Sequence, residues 1–261
     1  MHSKNAALRR LAGMLGLSLI LLYAPTASAE IKNFSGTSVE LVGSADVLAG
    51  GDLQLTPATG DQSGAAWTTG YVLTTEVFTT NFSFVIEAAP EDTGTIADGL
   101  AFVIQATGTN VIGSGGGGIG FQGLDAVGYV VHTWSNNNIG LVDHGDPFAV
   151  SDAPEDLGSV RLITGDVTIA YDPTLRQLYA SSLIYGPWGP GYFEVLEYID
   201  VDLQQRFGDR VYLGFTAATG LGAADHRITS WTVEAIPEPQ TYALVLAGLG
   251  LIGWKLRRSP R

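Results

Sequence analysis

Between residues 30 and 236 the apolar residues recur with a period of two, in short runs. Nowhere in that span do they keep the 3.6-residue period of an amphipathic helix. In Asn81–Ile86, for example, Phe82, Phe84 and Ile86 fall on one face of a strand and Asn81, Ser83 and Val85 on the other. The same reading predicts strands at 38–42, 52–56, 82–86, 100–105, 129–134 and 139–142. It predicts further strands at 167–171, 177–183, 192–201, 211–217 and 229–234. Gly, Asp, Asn and Pro fill the gaps, as turn chemistry requires. Leu203–Phe207 reads as a single helical turn. No Pro/Ser-rich linker, repeat or charge run interrupts the span, so it reads as one domain. Many short strands with short connections predict an all-β antiparallel sandwich or jelly roll.

Charge is sharply segregated along the chain. All 26 acidic residues lie between Glu30 and Glu238, while seven of the thirteen basic residues sit in the first 29 and last 21 positions. The body therefore carries a net charge of −20, which excludes the basic footprint of a nucleic-acid binder. It also makes the body soluble and repelled by anionic surfaces. The chain has no Cys, so neither disulfides nor Cys-ligated zinc can support it.

The two ends read as membrane-directed tags. Lys4, Arg9 and Arg10 precede an apolar run from Leu11 to Tyr23, which Pro25 breaks before Ala27-Ser28-Ala29. This is the layout of a signal peptide cut by signal peptidase, at 1–29, with export as its consequence. The run is shorter than the roughly 20 residues that span a bilayer. At the other end Pro237-Glu238-Pro239 leads into an uncharged apolar stretch, Tyr242–Trp254, closed by Lys255, Arg257 and Arg258. As a helix that stretch reaches about 20 Å at 1.5 Å per residue, a short transmembrane helix with its basic end held in the cytoplasm. Residues 237–261 resemble the PEP-CTERM sorting signal of Gram-negative bacteria. The resemblance implies recognition by an exosortase, transient anchoring in the inner membrane, and cleavage near Pro237. Release or retention at the cell surface among secreted polysaccharide would follow. A plain C-terminal anchor is the other reading.

Within residues 30–236 the motifs also have a recognisable order. Ala97-Asp98-Gly99-Leu100-Ala101-Phe102, the glycine stretch Gly117-Gly118-Ile119-Gly120-Phe121, and Thr133-Trp134-Ser135-Asn136 with Ile139-Gly140-Leu141 come first. Gly214–Gly220, His226 and Ser230-Trp231 follow. From about Asn33 to Val233 this series resembles the legume-type (L-type) lectins. The resemblance implies a concanavalin-like jelly roll of two large antiparallel sheets and a small bridging one, with a cis peptide bond between Ala97 and Asp98. It also implies a monosaccharide site of Asp98, Gly117 and Asn136, a stacking Trp134, and a specificity loop at Leu221 and Gly222.

Those residue types suit a sugar, which presents hydroxyl pairs and an apolar ring face. Asp98 accepts charge-assisted hydrogen bonds, and on this reading is solvated when the site is empty. Gly117 lets its backbone approach closely. Asn136 offers donor and acceptor on one amide, and Trp134 a stacking surface. Taken singly, Asp98 before Gly99 also reads as a turn residue, Gly117 as part of a flexible loop, and Trp134 as core. The glycines Gly115, Gly117 and Gly120 also match G-x-G-x-x-G, but no helix start follows, which excludes a dinucleotide site.

The metal site of the resembling family is incomplete here. Its strand carries two carboxylates, two residues apart, where this chain has Val130 and His132, and the following loop is shortened to Asn137 and Asn138. A transition-metal site is therefore not expected. Calcium wants six to eight oxygens. Asn136 and the Trp134 carbonyl remain, with Asp143 and Asp146 (beside His144) as substitutes. Acid pairs such as Glu91-Asp92, Glu155-Asp156 and Glu194/Glu197 lack the spacing that sets two glycosidase carboxylates on one strand face. The sequence reads as an exported carbohydrate-binding protein for bacterial exopolysaccharide, not an enzyme. A structural matrix protein with a non-binding lectin fold is the alternative, and a glycoside hydrolase a more distant one.

Overall fold

The computed structural model describes residues 27–31, 34, 39–89, 96–134, 137–150, 157, 160–187 and 192–236. The expected signal run, Asn136, Pro237-Glu238-Pro239 and the expected C-terminal helix lie outside the described residues. Among the described residues no helix is long and apolar enough to cross a membrane.

The strands in chain order are β1 (Ala27–Ile31), β2 (Val39–Gly43), β3 (Asp46–Val47), β4 (Leu53–Thr56) and β5 (Ser63–Thr68). Next come β6 (Val72–Leu73), β7 (Val77–Glu87), β8 (Gly99–Gln105), β9 (Ala126–His132) and β10 (Ile139–Val142). The last are β11 (Leu162–Asp172), β12 (Gln177–Tyr185), β13 (Tyr192–Asp200), β14 (Arg210–Ala218) and β15 (Asp225–Ile236). A helix, α1 (Leu203–Phe207), precedes β14. Asp202 caps it by accepting from the Gln205 amide at 2.9 Å.

Two antiparallel sheets face each other. The back sheet runs β13-β12-β11-β7-β15-β4-β3, with β1 also paired to β15. The front sheet runs β10-β9-β8-β14-β5-β2, with β6 also paired to β14. The all-β jelly-roll expectation holds, and so does the helical turn at α1. β1 pairs Ala27–Ile31 with Ala235–Trp231 and so straddles the expected cleavage point after Ala29.

Sequence alternation translates directly into burial in the back sheet. In β7, Phe78, Thr80, Phe82, Phe84 and Ile86 point into the core, and the residues between them face outward. Between the sheets Phe82, Phe102, Phe215 and Trp231 form an aromatic cluster with centroid separations of 4.8 to 5.6 Å, Phe82 and Phe102 stacked and the other pairs edge to face. Each such pair adds about 0.5–1.5 kcal/mol beyond the area it buries. Two polar pairs cross within the core: the Trp231 indole donates to Thr80 Oγ1 at 2.8 Å, and Tyr129 bonds Ser182.

The front sheet departs from alternation. Every residue of β8 and of β9 is buried. One face meets the core, and the other lies beneath the segment 111–124, which folds back over the sheet. Ile119 and Phe121 of that segment pack on Ala65, Trp67, Ala101, Val103 and Val130 as a second apolar cluster. The Trp67 indole fastens it by donating to the Val111 carbonyl at 2.9 Å.

Several strands run longer than the sequence suggests, because pairing extends past the apolar residues into polar ends. β5 was not expected at all: Ser-Gly-Ala-Ala-Trp-Thr carries few residues with β propensity, and its pairing with β14 and β2 forms it. β9 ends at His132 rather than Trp134, so Trp134 leaves the sheet.

The covering segment lies directly over Gly128 of the front sheet. A Cβ there would meet the Phe102 carbonyl oxygen at 2.5 Å and the Phe121 ring at 2.9 Å. Gly128→Ala is expected to lift Phe121 and cost about 1–3 kcal/mol, read as a lower denaturation midpoint at unchanged slope.

Candidate functional site

Three neighbouring strands of the front sheet release their chains at the same end. Asp98 immediately precedes β8, Trp134 lies two residues beyond β9, and Gly220 two beyond β14. The Asp98 main chain is clamped between the other two: its amide donates to the Ala218 carbonyl at 3.0 Å and its carbonyl accepts from the Thr133 amide at 2.9 Å. The Ala97–Asp98 peptide bond is cis, as the lectin resemblance implies. The loop after β14 is tied down by Thr219, whose hydroxyl donates to Thr59 O at 2.7 Å and accepts from the Gln62 amide at 2.9 Å.

The covering segment supplies the fourth wall, through a 3-10 turn at Gly116–Gly118. The walls enclose a cleft of about 310 Å³. Of the expected site residues, Asp98, Gly117, Trp134 and Leu221 line it together. Gly222 follows Leu221 as a half-buried residue.

Asp98 differs from the expectation of a solvated carboxylate, being only 4% exposed. The Gly220 amide donates to the carboxylate, while Oδ2 is buried without a partner. Burial pushes the pKa up to about 6, against which the Gly220 hydrogen bond acts. Gly220 admits this approach because it lacks a side chain: a Cβ there would stand 3.1 Å from Asp98 Oδ2. Gly117 is different, since a Cβ there would meet Phe148 at 3.7 Å and His132 Nε2 at 4.0 Å, ordinary contact distances. Protein packing does not require glycine at 117. Trp134 at 41% exposure and a fully exposed Leu221 form an apolar rim.

Sequence reasoning missed three lining residues, His132, Phe148 and Gly220. His132 is fully buried and hydrogen-bonded through Nε2 to the Gly117 carbonyl at 2.9 Å. Desolvation lowers its pKa, with the Gly117 hydrogen bond acting the other way. The Phe148 ring lies 5.0 Å from the His132 ring, edge to face. His132 shares period-two parity with Val130, a signal that it lies under the glycine segment. Phe148 sits in a loop, where no periodicity could point to it.

Among the described residues the candidate side-chain donors for a divalent cation do not assemble here. Val130 is packed in the apolar cluster of the covering segment, and His132 Nε2 is committed to Gly117. Asp143 follows β10 at the end remote from Asn138, roughly 16 Å along the strand at 3.3 Å per residue. There it pairs with Arg206, which also holds Asp125 at 2.8 Å. That separation is several times the 2.3–2.6 Å of a calcium–oxygen bond, so Asp143 cannot share a cation with Trp134. Asp146 spends Oδ1 on the Phe148 amide at 3.0 Å. Among the described residues no three His, Cys, Asp or Glu side chains cluster as a metal site.

The PEP-CTERM protein-sorting motif matches residues 235–259. Lectin 7 of Medicago truncatula is 27% identical over 245 residues, covering 80% of this chain and 89% of that protein. Basic winged bean lectin, solved with the Tn-antigen, superimposes with a TM-score of 0.66 at 24% identity, covering 81% of this chain and 99% of its own. The Bauhinia forficata lectin, solved with GalNAc, gives 0.65 at 23% identity over the same shares. Over about four-fifths of its length the chain is similar to legume lectins in sequence and fold, and its C-terminal end matches the PEP-CTERM sorting motif. The cleft lies where β8 begins and β9 and β14 end, and Asp98 is the carboxylate within it.

The folded pKa of Asp98 stands above the ordinary aspartate value of 3.8. Ionised Asp98 is therefore a cost to the free fold above about pH 6, and that cost is relieved as the pH falls from 6 towards 4. A ligand that needs the carboxylate responds oppositely. The affinity of such a ligand, measured by calorimetry, is expected to fall by about tenfold per pH unit below 6, with no matching loss of thermal stability from this group. Asp98→Asn should remove the slope.

Proposed function

We propose that the protein is an exported carbohydrate-binding protein whose cleft takes a neutral glycan, with bacterial exopolysaccharide as its target. The observation that carries this is Asp98 Oδ2, a buried carboxylate oxygen without a protein partner, facing a cleft with an apolar rim. A sugar hydroxyl satisfies such an atom, and a pyranose ring face covers Trp134. The described lining contains a carboxylate and no Lys or Arg. Together with the acidic body this disfavours uronate-rich chains. Tn-antigen and GalNAc in two fold neighbours support a sugar as ligand of the same fold.

On this reading Asn136 completes the site, and Leu221 and Gly222 adjust which sugar enters. Residues 1–29 are the signal peptide, 30–236 the lectin-like domain and 237–261 the sorting segment. Signal peptidase and exosortase act on the two ends, and the inner membrane holds the chain in transit. One carboxylate among the described lining residues does not provide the acid–base pair of a glycoside hydrolase.

A glycan array with the purified protein tests the reading. Binding of neutral glycans without release of reducing sugar is expected, and a silent array would favour a structural matrix role. Asp98→Asn should lower affinity by about 1.5–3 kcal/mol while leaving the unfolding midpoint unchanged or slightly raised, because a desolvated charge is removed. Intact-mass analysis of protein recovered from the cell surface should show a chain lacking the residues beyond Pro239. A mass that retains them would sink the sorting reading.

A further inference from the structure

The feature that most separates this cleft from the resembling family is what lies beneath its glycine wall. On the face of β9 that looks toward the covering segment, Val130 and His132 occupy alternate positions, the pair at which that family has carboxylates. Val130 joins Ile119 and Phe121 in the apolar cluster. His132 reaches the Gly117 carbonyl, and because a carbonyl only accepts, the ring must carry its proton on Nε2. Phe148 covers the other side of the ring and lines the cleft beside Gly117. A chain of contact thus runs from β9 through His132 to the sugar-facing glycine, composed of protein atoms throughout.

We propose that this site is metal-independent, with His132 acting as the positioning residue that holds Gly117, and so the glycine wall, in place of a divalent cation. The inference rests on the carbohydrate reading for its effect on affinity, and on geometry alone for its effect on the wall. A donor at the ε position of residue 132 is what the wall needs. A branched apolar residue of similar size fills the space without holding the Gly117 carbonyl.

Three measurements on the purified protein decide it. Metal content by mass spectrometry after exhaustive EDTA dialysis, and after return of calcium or manganese, should stay below one ion per chain. Hydrogen exchange across residues 113–122 should be the same in EDTA and in calcium, several-fold faster in His132→Leu, and restored in His132→Gln, whose amide offers a donor at the ε position. Affinity for whichever neutral glycan the array selects should change less than twofold with EDTA, fall at least tenfold in His132→Leu, and recover in His132→Gln. Stoichiometric uptake of calcium, or exchange or affinity that collapses in EDTA and returns with calcium, would overturn the proposal. Equal exchange in the Leu and Gln variants would reduce His132 to a packing residue. If no glycan binds under any condition the carbohydrate reading fails. Metal content and exchange still decide how the wall is held.

Discussion

The double burial of β8 and β9 is the constraint on which the site depends. An antiparallel strand ordinarily buries one face and wets the other, and the back sheet does so through β7, β11 and β12. In the front sheet both faces of the two strands are dry, because residues 111–124 lie across the side away from the core. This covering fixes where the glycine turn can be. The segment is pinned by Phe121 over Gly128, by the Trp67 indole on Val111, and by turn hydrogen bonds from Gly113 to Gly120 and from Ser114 to Gln122. Gly116–Gly118 is thereby presented at the strand ends where Asp98 and Gly220 emerge.

The electrostatics of the cleft follow from the same arrangement. A carboxylate brought to 4% exposure with one hydrogen-bonding neighbour is held above its ordinary pKa. Its Oδ2 is left as an open acceptor. The buried His132 faces the opposite way in energetic terms: desolvation favours its neutral form, and as a neutral donor it fits the Gly117 carbonyl. On the proposed reading an acid and an imidazole in one small cleft have separate tasks, one facing the ligand and one facing the scaffold. The remaining charged cluster nearby, Arg206 with Asp125 and Asp143, is at the far end of β9 and β10 and ties α1 to the front sheet.

The sequence by itself determined the all-β class, the single run of strands, the acidic body and the ordered motifs from Ala97–Phe102 to Ser230-Trp231. Each of these is written in local chemistry, as period-two alternation, turn residues between runs, or contiguous motif residues. Asp98, Gly117, Trp134 and Leu221 were legible because they belong to such motifs, and the structure brings those four together. Tertiary structure alone decided the rest. β5 exists by pairing rather than propensity, Phe148 arrives from a loop, and Asp98 is buried because Gly220 and Gly116 close on it from segments about a hundred residues apart. The same holds for His132 and Asp143. The sequence marked His132 only as the replacement of a carboxylate and Asp143 as a substitute ligand, but His132 spends its donor on Gly117 and Asp143 its charge on Arg206. Which partner a polar side chain meets depends on distances between segments remote in sequence, and those distances are set when the covering segment closes over the front sheet.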